Sequence, residues 1–323
     1  MKKVKPIALD SGNTFAPDPI SIAPSSRKKR HGKSKKLLAA ITAAGLIALI
    51  SAFAWKLRPA PAVFCYPQKQ FQGGILELRA HVSSSPEKLA CELDGGTYPF
   101  YALGDEEFRA LVPVKLFSKP GLHYARVTLK TRLGTRELAK IPVAIRRGSY
   151  PHIKLTLHLK STQSKEDRDM LIASARQILL QTLALETPVQ HWHGHFLYPL
   201  RGRLSATYGE RRTVNGKSGS VHYGLDIAAP AGTDVVAANS GVVALTADFP
   251  LQGKIVLLDH GQGIFSAYLH MSEILVQEGA PIEQGQPLGR TGSTGRSTGP
   301  HLHWSMYLHG IPVSPLELVD RSF

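Results

Sequence analysis

The sequence predicts a mainly β protein with two β-rich modules, a connector helix and one transmembrane helix. Short strand-like runs separated by Gly, Pro and Asp clusters fill residues 63–147 and 196–323. Apolar residues at helical spacing occupy 164–186, and 37–55 contains no charged residue. A chain of 323 residues is long enough for two folded domains.

Residues 1–36 form a basic tail that we expect in the cytoplasm. The tail has ten Lys and Arg residues against two Asp residues, which is more than half of the chain's net charge of +15. This charge is concentrated beside an apolar segment, where basic residues set membrane topology. We therefore expect no nucleic-acid binding from the basic composition.

The segment 37–55 predicts a signal anchor in the cytoplasmic membrane. Nineteen helical residues span about 28 Å, close to the roughly 30 Å hydrocarbon core of a bilayer. Seven basic residues precede it, which predicts a single-pass protein of the inner membrane with its C-terminal domains in the periplasm. Two alternatives remain open: a buried core helix, or a signal peptide cleaved after Ala54 in an Ala-x-Ala pattern.

A Pro-rich linker, 56–62, leads into a predicted immunoglobulin-like β-sandwich over 63–147. The expected strands are 75–82, 98–103, 108–114, 124–130 and 138–145. Cys65 and Cys91 lie in this module, and the sequence is compatible with either a disulfide or two buried thiols. We find no catalytic constellation in the module, which suits a role in spacing, docking or shielding.

Residues 148–195 are predicted to be a linker that contains the connector helix, 164–186. Ser164 and Asp167 resemble a capping box at its start, and Pro188 prevents its continuation. Beyond it, 196–323 predicts a compact antiparallel sheet domain. Its expected strands are 202–208, 224–228, 234–238, 241–247, 254–259, 264–270, 287–290 and 301–308.

Histidines in the C-terminal domain predict a metal site. His222 and Asp226 are four residues apart, and His301 and His303 are two apart, so each pair shares one face of an extended strand. Two imidazoles and a carboxylate that leave one position open are typical of catalytic zinc. Strand periodicity does not decide whether His301 or His303 is the ligand. His270, which ends a predicted strand, is a candidate additional base or oxyanion stabiliser.

The contexts of these residues are VHYGLDIAAPAGTDVVAANSGVV, FSAYLHMSE and GSTGRSTGPHLHWSM. Together they resemble the M23 family of zinc metallopeptidases, which includes lysostaphin and LytM-like cell-wall endopeptidases. The resemblance covers roughly 196–318 and implies the antiparallel β fold of an M23 peptidase domain. More weakly, 63–147 resembles the β-rich module that precedes this domain in some Gram-negative members.

The resemblance also implies roles for individual residues. His222, Asp226 and His303 would bind Zn²⁺, His301 would act on the attacking water, and His270 would help to activate that water or stabilise the oxyanion. The implied activity is hydrolysis of peptidoglycan stem-peptide cross-links, with D-amino-acid cross-links favoured over pentaglycine. A regulatory partner in the cell wall stays unidentified.

Two other functions compete with this interpretation. A non-catalytic M23-like regulator of other cell-wall hydrolases is expected to lack one or more metal ligands, and this chain has all three. A lipoyl or biotinyl carrier is suggested by 276–289, but it needs a modifiable Lys at a hairpin tip, and none is suitably placed.

Three further features are expected outside the ligand set. HWHGH, at 191–195, is interpreted as interfacial or solvated, and His260 as a turn residue or a neighbour of the ligands. GSTGRSTG, at 292–299, lacks the Gly-Lys-Ser/Thr ending of a phosphate loop. We interpret it as a flexible loop that borders the site, and we expect the same of a second Gly- and Ser-rich loop, 213–220.

Overall fold

The structure, a computed structural model, describes residues 61–83, 86–132, 134–155, 165–214 and 216–321. They belong to one compact unit that extends from Pro59 to Phe323. The predicted basic tail and signal anchor lie outside the described residues. In the part of the chain that the structure does describe, no helix is long and apolar enough to cross a membrane.

Two sheets form the N-terminal module. The first contains β1 (Ala62–Tyr66), β3 (Ile75–His81), β6 (Tyr101–Ala102) and β7 (Glu107–Pro113), in the order β1-β3-β7-β6. The second contains β2 (Lys69–Phe71), β4 (Lys88–Leu93), β5 (Gly96–Pro99), β8 (Gly121–Thr131) and β9 (Gly134–Arg146), in the order β2-β9-β8-β4-β5. Leu78 of the first sheet and Val127 of the second are fully buried in one shared core.

Both cysteines of this module are free thiols. Cys91 is fully buried in the shared core, and Cys65 packs against the same core. Burial raises the pKa of the Cys65 thiol to about 11 and that of Cys91 to about 12. Of the two alternatives that the sequence left open, the structure shows the pair of thiols.

The linker contributes a short strand, β10 (His152–Leu155), and a helix, α1 (Lys165–Leu183). The C-terminal domain then adds twelve strands and one short helix. They are β11 (Arg203–Ala206), β12 (Arg211–Val214), β13 (Lys217–Val221), β14 (Leu225–Ala228), β15 (Asp234–Val236), β16 (Gly241–Phe249), β17 (Gly253–Gly261), β18 (Ile264–Ile274), β19 (Pro281–Ile282), β20 (Pro287–Thr291), β21 (His301–Leu308), β22 (Ile311–Val313) and α2 (Leu316–Val319).

One large sheet organises the C-terminal domain. Its main path is β11-β14-β21-β18-β17-β16-β19, with β15, β20 and β22 attached, and the pairings within it are antiparallel. A separate three-stranded sheet joins β10, β12 and β13, in which the linker strand β10 runs parallel to β12. The prediction of a mainly β protein is confirmed.

The central strand β21 divides its residues between two environments. Leu302, Trp304, Met306 and Leu308 are fully buried in the main core. Alternate residues of a strand face opposite sides of the sheet, so His301 and His303 lie on the other face. On that face Leu183 of α1 packs against the core cluster that contains Ile255, Leu257 and Phe265. The helix thus covers one part of this face, and His301 and His303 lie on the other part.

The two β-rich modules are in direct contact. Ile75 of the N-terminal module is buried in the main core of the C-terminal domain. The guanidinium of Arg109, itself buried, donates to Gln190 over 2.7 Å and to Gln262 over 3.1 Å. These contacts hold the linker and the C-terminal sheet against β7 of the sandwich.

Candidate metal centre

Three side chains from three different places in the chain converge at one point. Asp226 of β14 and His303 of β21 are directly opposite each other in the antiparallel ladder, and His222 lies in the turn between β13 and β14. Oδ1 of Asp226 is 2.8 Å from Nε2 of His222 and 2.8 Å from Nδ1 of His303. Among the described residues, these three form a group that could hold a metal ion.

Each ligand imidazole is oriented through its second ring nitrogen. Nδ1 of His222 donates to the main-chain oxygen of Thr207 over 3.0 Å. Nε2 of His303 donates to Oγ of Ser305 over 2.7 Å. A hydrogen bond at one nitrogen fixes which nitrogen is free for a metal, so Nε2 of His222 and Nδ1 of His303 are the ligand atoms.

The carboxylate of Asp226 is held by a second ion pair. Its Oδ2 lies 3.1 Å from Nη2 of Arg212, and Nε of Arg212 lies 2.9 Å from Oε1 of Glu210. Burial alone would raise the pKa of Asp226. The side chains of His222 and His303 outweigh burial and hold that pKa well below its usual range. Asp226 is therefore ionised, as a metal ligand must be.

His270 reaches the site because β18 is irregular there. Two residues of β18, Leu269 and His270, lie opposite one residue of β17, which is a β-bulge. His270 has a φ of 64°, in the left-handed region. Its Nδ1 donates to the main-chain oxygen of Thr294 over 2.8 Å, and burial lowers its pKa to about 4. Nε2 of His270 therefore carries a lone pair.

His301 lies beside the three ligands. Its Nδ1 donates to the main-chain oxygen of Gly299 over 2.8 Å, and its Nε2 is 3.8 Å from Oδ1 of Asp226. The ring centroids of His270 and His301 are 4.8 Å apart. The side chains of His301 and His303 are each 14% exposed, so solvent reaches the site. All five predicted site residues are thus brought together.

The loop 292–299, which was expected only to border the site, supplies the two carbonyl groups that orient His270 and His301. Gly295 makes this loop possible, because its φ is 69° and a Cβ there would lie 2.3 Å from the main-chain nitrogen of Gly253. The density of glycines in the sequence predicts a loop of this kind. Nothing in the sequence shows which carbonyl groups face the histidines.

Donor chemistry supports zinc at this centre. Two imidazole nitrogens and one carboxylate oxygen, each ring held by a hydrogen bond at its other nitrogen, are the usual protein ligands of catalytic zinc. Hard cations such as Mg²⁺ and Ca²⁺ prefer all-oxygen sites. The residues present therefore fit the metal that the sequence predicts.

The segment that carries these five residues is similar to a known protein family. Residues 220–315 match the model of peptidase family M23. The chain contains an M23 peptidase domain. The match includes the three candidate ligands together with His270 and His301, and it confirms the family resemblance for this part of the chain.

Curated relatives of the M23 domain are cell-wall enzymes by name. The chain is 39% identical over 123 residues to peptidoglycan DD-endopeptidase ShyA of Vibrio cholerae, a match that covers 37% of this chain and 29% of ShyA. It is 37% identical over 116 residues to DD-carboxypeptidase/endopeptidase Mpg of Neisseria meningitidis, covering 36% of this chain and 27% of Mpg. The chain thus spans less than a third of the length of these relatives.

One solved structure is similar over more than the M23 domain. The crystal structure of a putative peptidase M23 from Pseudomonas aeruginosa has a TM-score of 0.59 and 25% sequence identity. The match covers 77% of this chain and 94% of that chain. The fold similarity therefore extends beyond the segment matched by the family model.

Two other histidine features lie outside the ligand group. His260 is fully buried, with Nδ1 2.6 Å from the main-chain oxygen of Ser240 and Nε2 2.7 Å from Oγ of Ser266. In the HWHGH segment, Trp192 is fully buried, and His193 donates from its main chain to Oδ1 of Asn239 over 3.1 Å. This segment joins the linker to the M23 domain.

Proposed function

We propose that the chain is a zinc-dependent endopeptidase that hydrolyses peptide cross-links of bacterial peptidoglycan. The observation that carries the proposal is the convergence of His222, Asp226 and His303 beside two further imidazoles, those of His270 and His301. Three protein ligands leave a position open for water and substrate. The DD-endopeptidase names of the relatives supply the substrate class.

Zinc held by His222, Asp226 and His303 would supply two effects, a lowered pKa of bound water and polarisation of the scissile carbonyl group. The proposed work of His301 is to accept a proton from the attacking water, because its Nδ1 donates to Gly299 and its Nε2 is left as an acceptor. The same proton then leaves with the amine that is released when the peptide bond breaks. The nearness of Nε2 to Asp226 puts this acceptor beside the ligands.

The proposed role of His270 is to orient the water rather than to stabilise the oxyanion. An oxyanion needs a donor, and Nε2 of His270 is an acceptor as long as Nδ1 alone carries the proton. Burial lowers the pKa of His270 to about 4. The neutral ring, which accepts, therefore dominates near neutral pH.

We propose that the protein works in the periplasm, anchored by residues 37–55 in the inner membrane with its N-terminus in the cytoplasm. The uncharged segment and the seven basic residues before it support this topology. A reporter enzyme that is active only in the periplasm, fused after Phe323, should be active. N-terminal sequencing of the mature protein would reveal cleavage after Ala54.

Digestion of purified sacculi tests the activity. We expect cross-linked muropeptide dimers to decrease and monomers to increase with the zinc-loaded protein. His301→Ala is the matched control, because it keeps all three ligands and should lose activity. Unchanged dimers with a fully zinc-loaded protein would contradict the proposal.

A non-catalytic regulator of other cell-wall hydrolases is the alternative function. The complete ligand set argues against it. A purified protein that binds no zinc and cleaves no cross-link, yet stimulates another hydrolase, would establish this alternative.

A further inference from the structure

We propose that a groove between the two modules binds the glycan strand of peptidoglycan. This inference rests on the proposed function, since it assigns a place to a second part of the same substrate. The groove has a volume of about 540 Å³. Phe117 and His123 line it from the β-sandwich, and Tyr223, Ile311 and Pro312 line it from the M23 domain.

The groove lies close to the metal ligands. His303 and Tyr307 lie on the same face of β21 because they are four residues apart on one strand. Pro312 of β22 is directly opposite Tyr307 in the antiparallel pairing. In addition, Tyr223 directly follows the ligand His222 in the chain. The groove therefore lies beside the metal centre in the fold.

The spacing between the groove and the metal centre matches the length of a stem peptide. Four strand residues, the distance from His303 to Tyr307, span about 13 Å. An extended peptide of about four residues covers the same distance. A cross-link held at the metal centre is joined to the glycan by a short stem peptide of this kind. The glycan would then lie at the groove while the peptide bond lies at the ligands.

Aromatic faces beside a fixed acceptor suit a sugar. Phe117 is 60% exposed and Tyr223 is 37% exposed, so both offer aromatic surface. The carboxylate of Asp94, which also lines the groove, accepts from Oγ of Ser118 over 2.8 Å and from Nδ1 of His123 over 2.6 Å. A carboxylate has about four acceptor positions, so acceptor capacity remains. A sugar ring has apolar C–H faces and donors around its edge.

Glycan strands freed of their peptides by an amidase test the proposal, because a peptidase cannot cleave them. Binding of these strands to the zinc-loaded full-length chain is measured by calorimetry. We expect Phe117→Ala to weaken binding about tenfold, the size of one lost aromatic contact. Phe64→Ala is the matched control, since Phe64 is a 69% exposed Phe of the same module outside the groove. It should bind as the wild type does.

Measurements of hydrolysis distinguish an effect on the groove from an effect on the metal centre. Phe117→Ala should raise KM for intact sacculi and leave kcat/KM for sugar-free peptide dimers unchanged. Two results would contradict a glycan site in the groove. One is glycan binding that is insensitive to Phe117→Ala, and the other is a loss of kcat/KM on sugar-free dimers as large as that on sacculi. Glycan binding that depends on Phe117 in a protein that cleaves no cross-link would support the groove and contradict the proposed function.

Discussion

His270 donates a hydrogen bond from Nδ1 to the main-chain oxygen of Thr294, 2.8 Å away. His270 belongs to β18, whereas Thr294 belongs to the loop 292–299. His301 makes the equivalent bond to Gly299 of the same loop. One loop therefore holds the Nδ1 atoms of both rings and leaves Nε2 of each ring as the acceptor. The geometry of the loop thus sets the orientation of both rings, that of His301, proposed to accept the proton, and that of His270, proposed to orient the water.

Gly295→Ala should impair turnover without removing zinc. A Cβ at this position meets the main-chain nitrogen of Gly253 at 2.3 Å, and the φ of 69° is unfavourable for alanine. Displacing the loop by about 1 Å would misorient His270, and misplacement of that size can cost about 100-fold in rate. Turnover of sacculi and zinc content are the two measurements.

Gly299→Ala is the control for this loop. A Cβ there meets nothing within 4 Å, and the carbonyl group that His301 uses is part of the backbone. We expect near-normal turnover. Equal losses in the two variants would contradict a specific role for the packing of Gly295.

His303→Ala and His301→Ala should separate metal binding from catalysis. His303→Ala removes one of three ligands, so zinc and activity should both be lost, as should also happen in His222→Ala and Asp226→Ala. His301→Ala keeps the ligand set and should retain about one zinc, while loss of a general base lowers the rate about 10²–10⁴-fold. Zinc loss in His301→Ala with retention in His303→Ala would reverse the two assignments.

Arg212→Ala should weaken zinc binding. The guanidinium bridges Oδ2 of Asp226 and Oε1 of Glu210, and its removal leaves a ligand carboxylate without its outer partner. Loss of such a partner typically costs about 10–100-fold in metal affinity. Arg212→Lys should recover only part of the lost metal affinity, because an ammonium group cannot reproduce both arms of the bridge.

Competition with a chelator measures the zinc affinity of the Arg212 variants. Arg211→Ala is the matched control, because Arg211 is the exposed neighbour on the same strand. It should bind zinc as the wild type does. A similar loss in Arg211→Ala would attribute the effect to the strand β12 rather than to the bridge.

His260 should make stability depend on pH. Burial lowers its pKa to about 4 from an ordinary value of 6.5, although the bond to Ser240 opposes the shift. Between these values the unfolded chain binds a proton at this residue and the folded chain does not. Its contribution is complete above pH 6.5. As the pH falls toward 4, the free energy of unfolding decreases by about 1.4 kcal/mol per pH unit.

Urea unfolding at a series of pH values measures this dependence. His260→Gln removes the titrating group. The slope of the unfolding free energy against pH should therefore be smaller in this variant, by an amount that corresponds to about one bound proton. The slope is the informative quantity, because the substitution also changes packing. An identical slope in the variant and the wild type would contradict the assignment.

Much of the fold follows from the sequence because its strands have strong local signals. The strands around Leu78, Ala110 and Trp304 were expected, since runs rich in Leu, Val and aromatic residues end at Gly or Pro. The positions of His301 and His303 on one face follow from a period of two. Spacing alone left open which of them is the ligand. The structure places Nδ1 of His303, rather than His301, within 2.8 Å of Asp226.

Other features depend on contacts between distant segments, which a local pattern does not contain. His222 lies in a turn, whereas the spacing to Asp226 predicted one extended strand for both. The expected loop 213–220 is largely part of the hairpin β12–β13, because β10 of the linker pairs with it. The bulge at His270 has no sequence signal either, because it arises from pairing with β17.

The parallel pairing of β10 with β12 makes the linker a structural part of the M23 domain. A fragment that begins at residue 196 would lose this strand and expose the main-chain N–H and C=O groups on one edge of β12. Unpaired edges of this kind recruit strands from other molecules. The same edge carries Arg212, which holds Asp226, so self-association of such a fragment would act on the metal ligand itself.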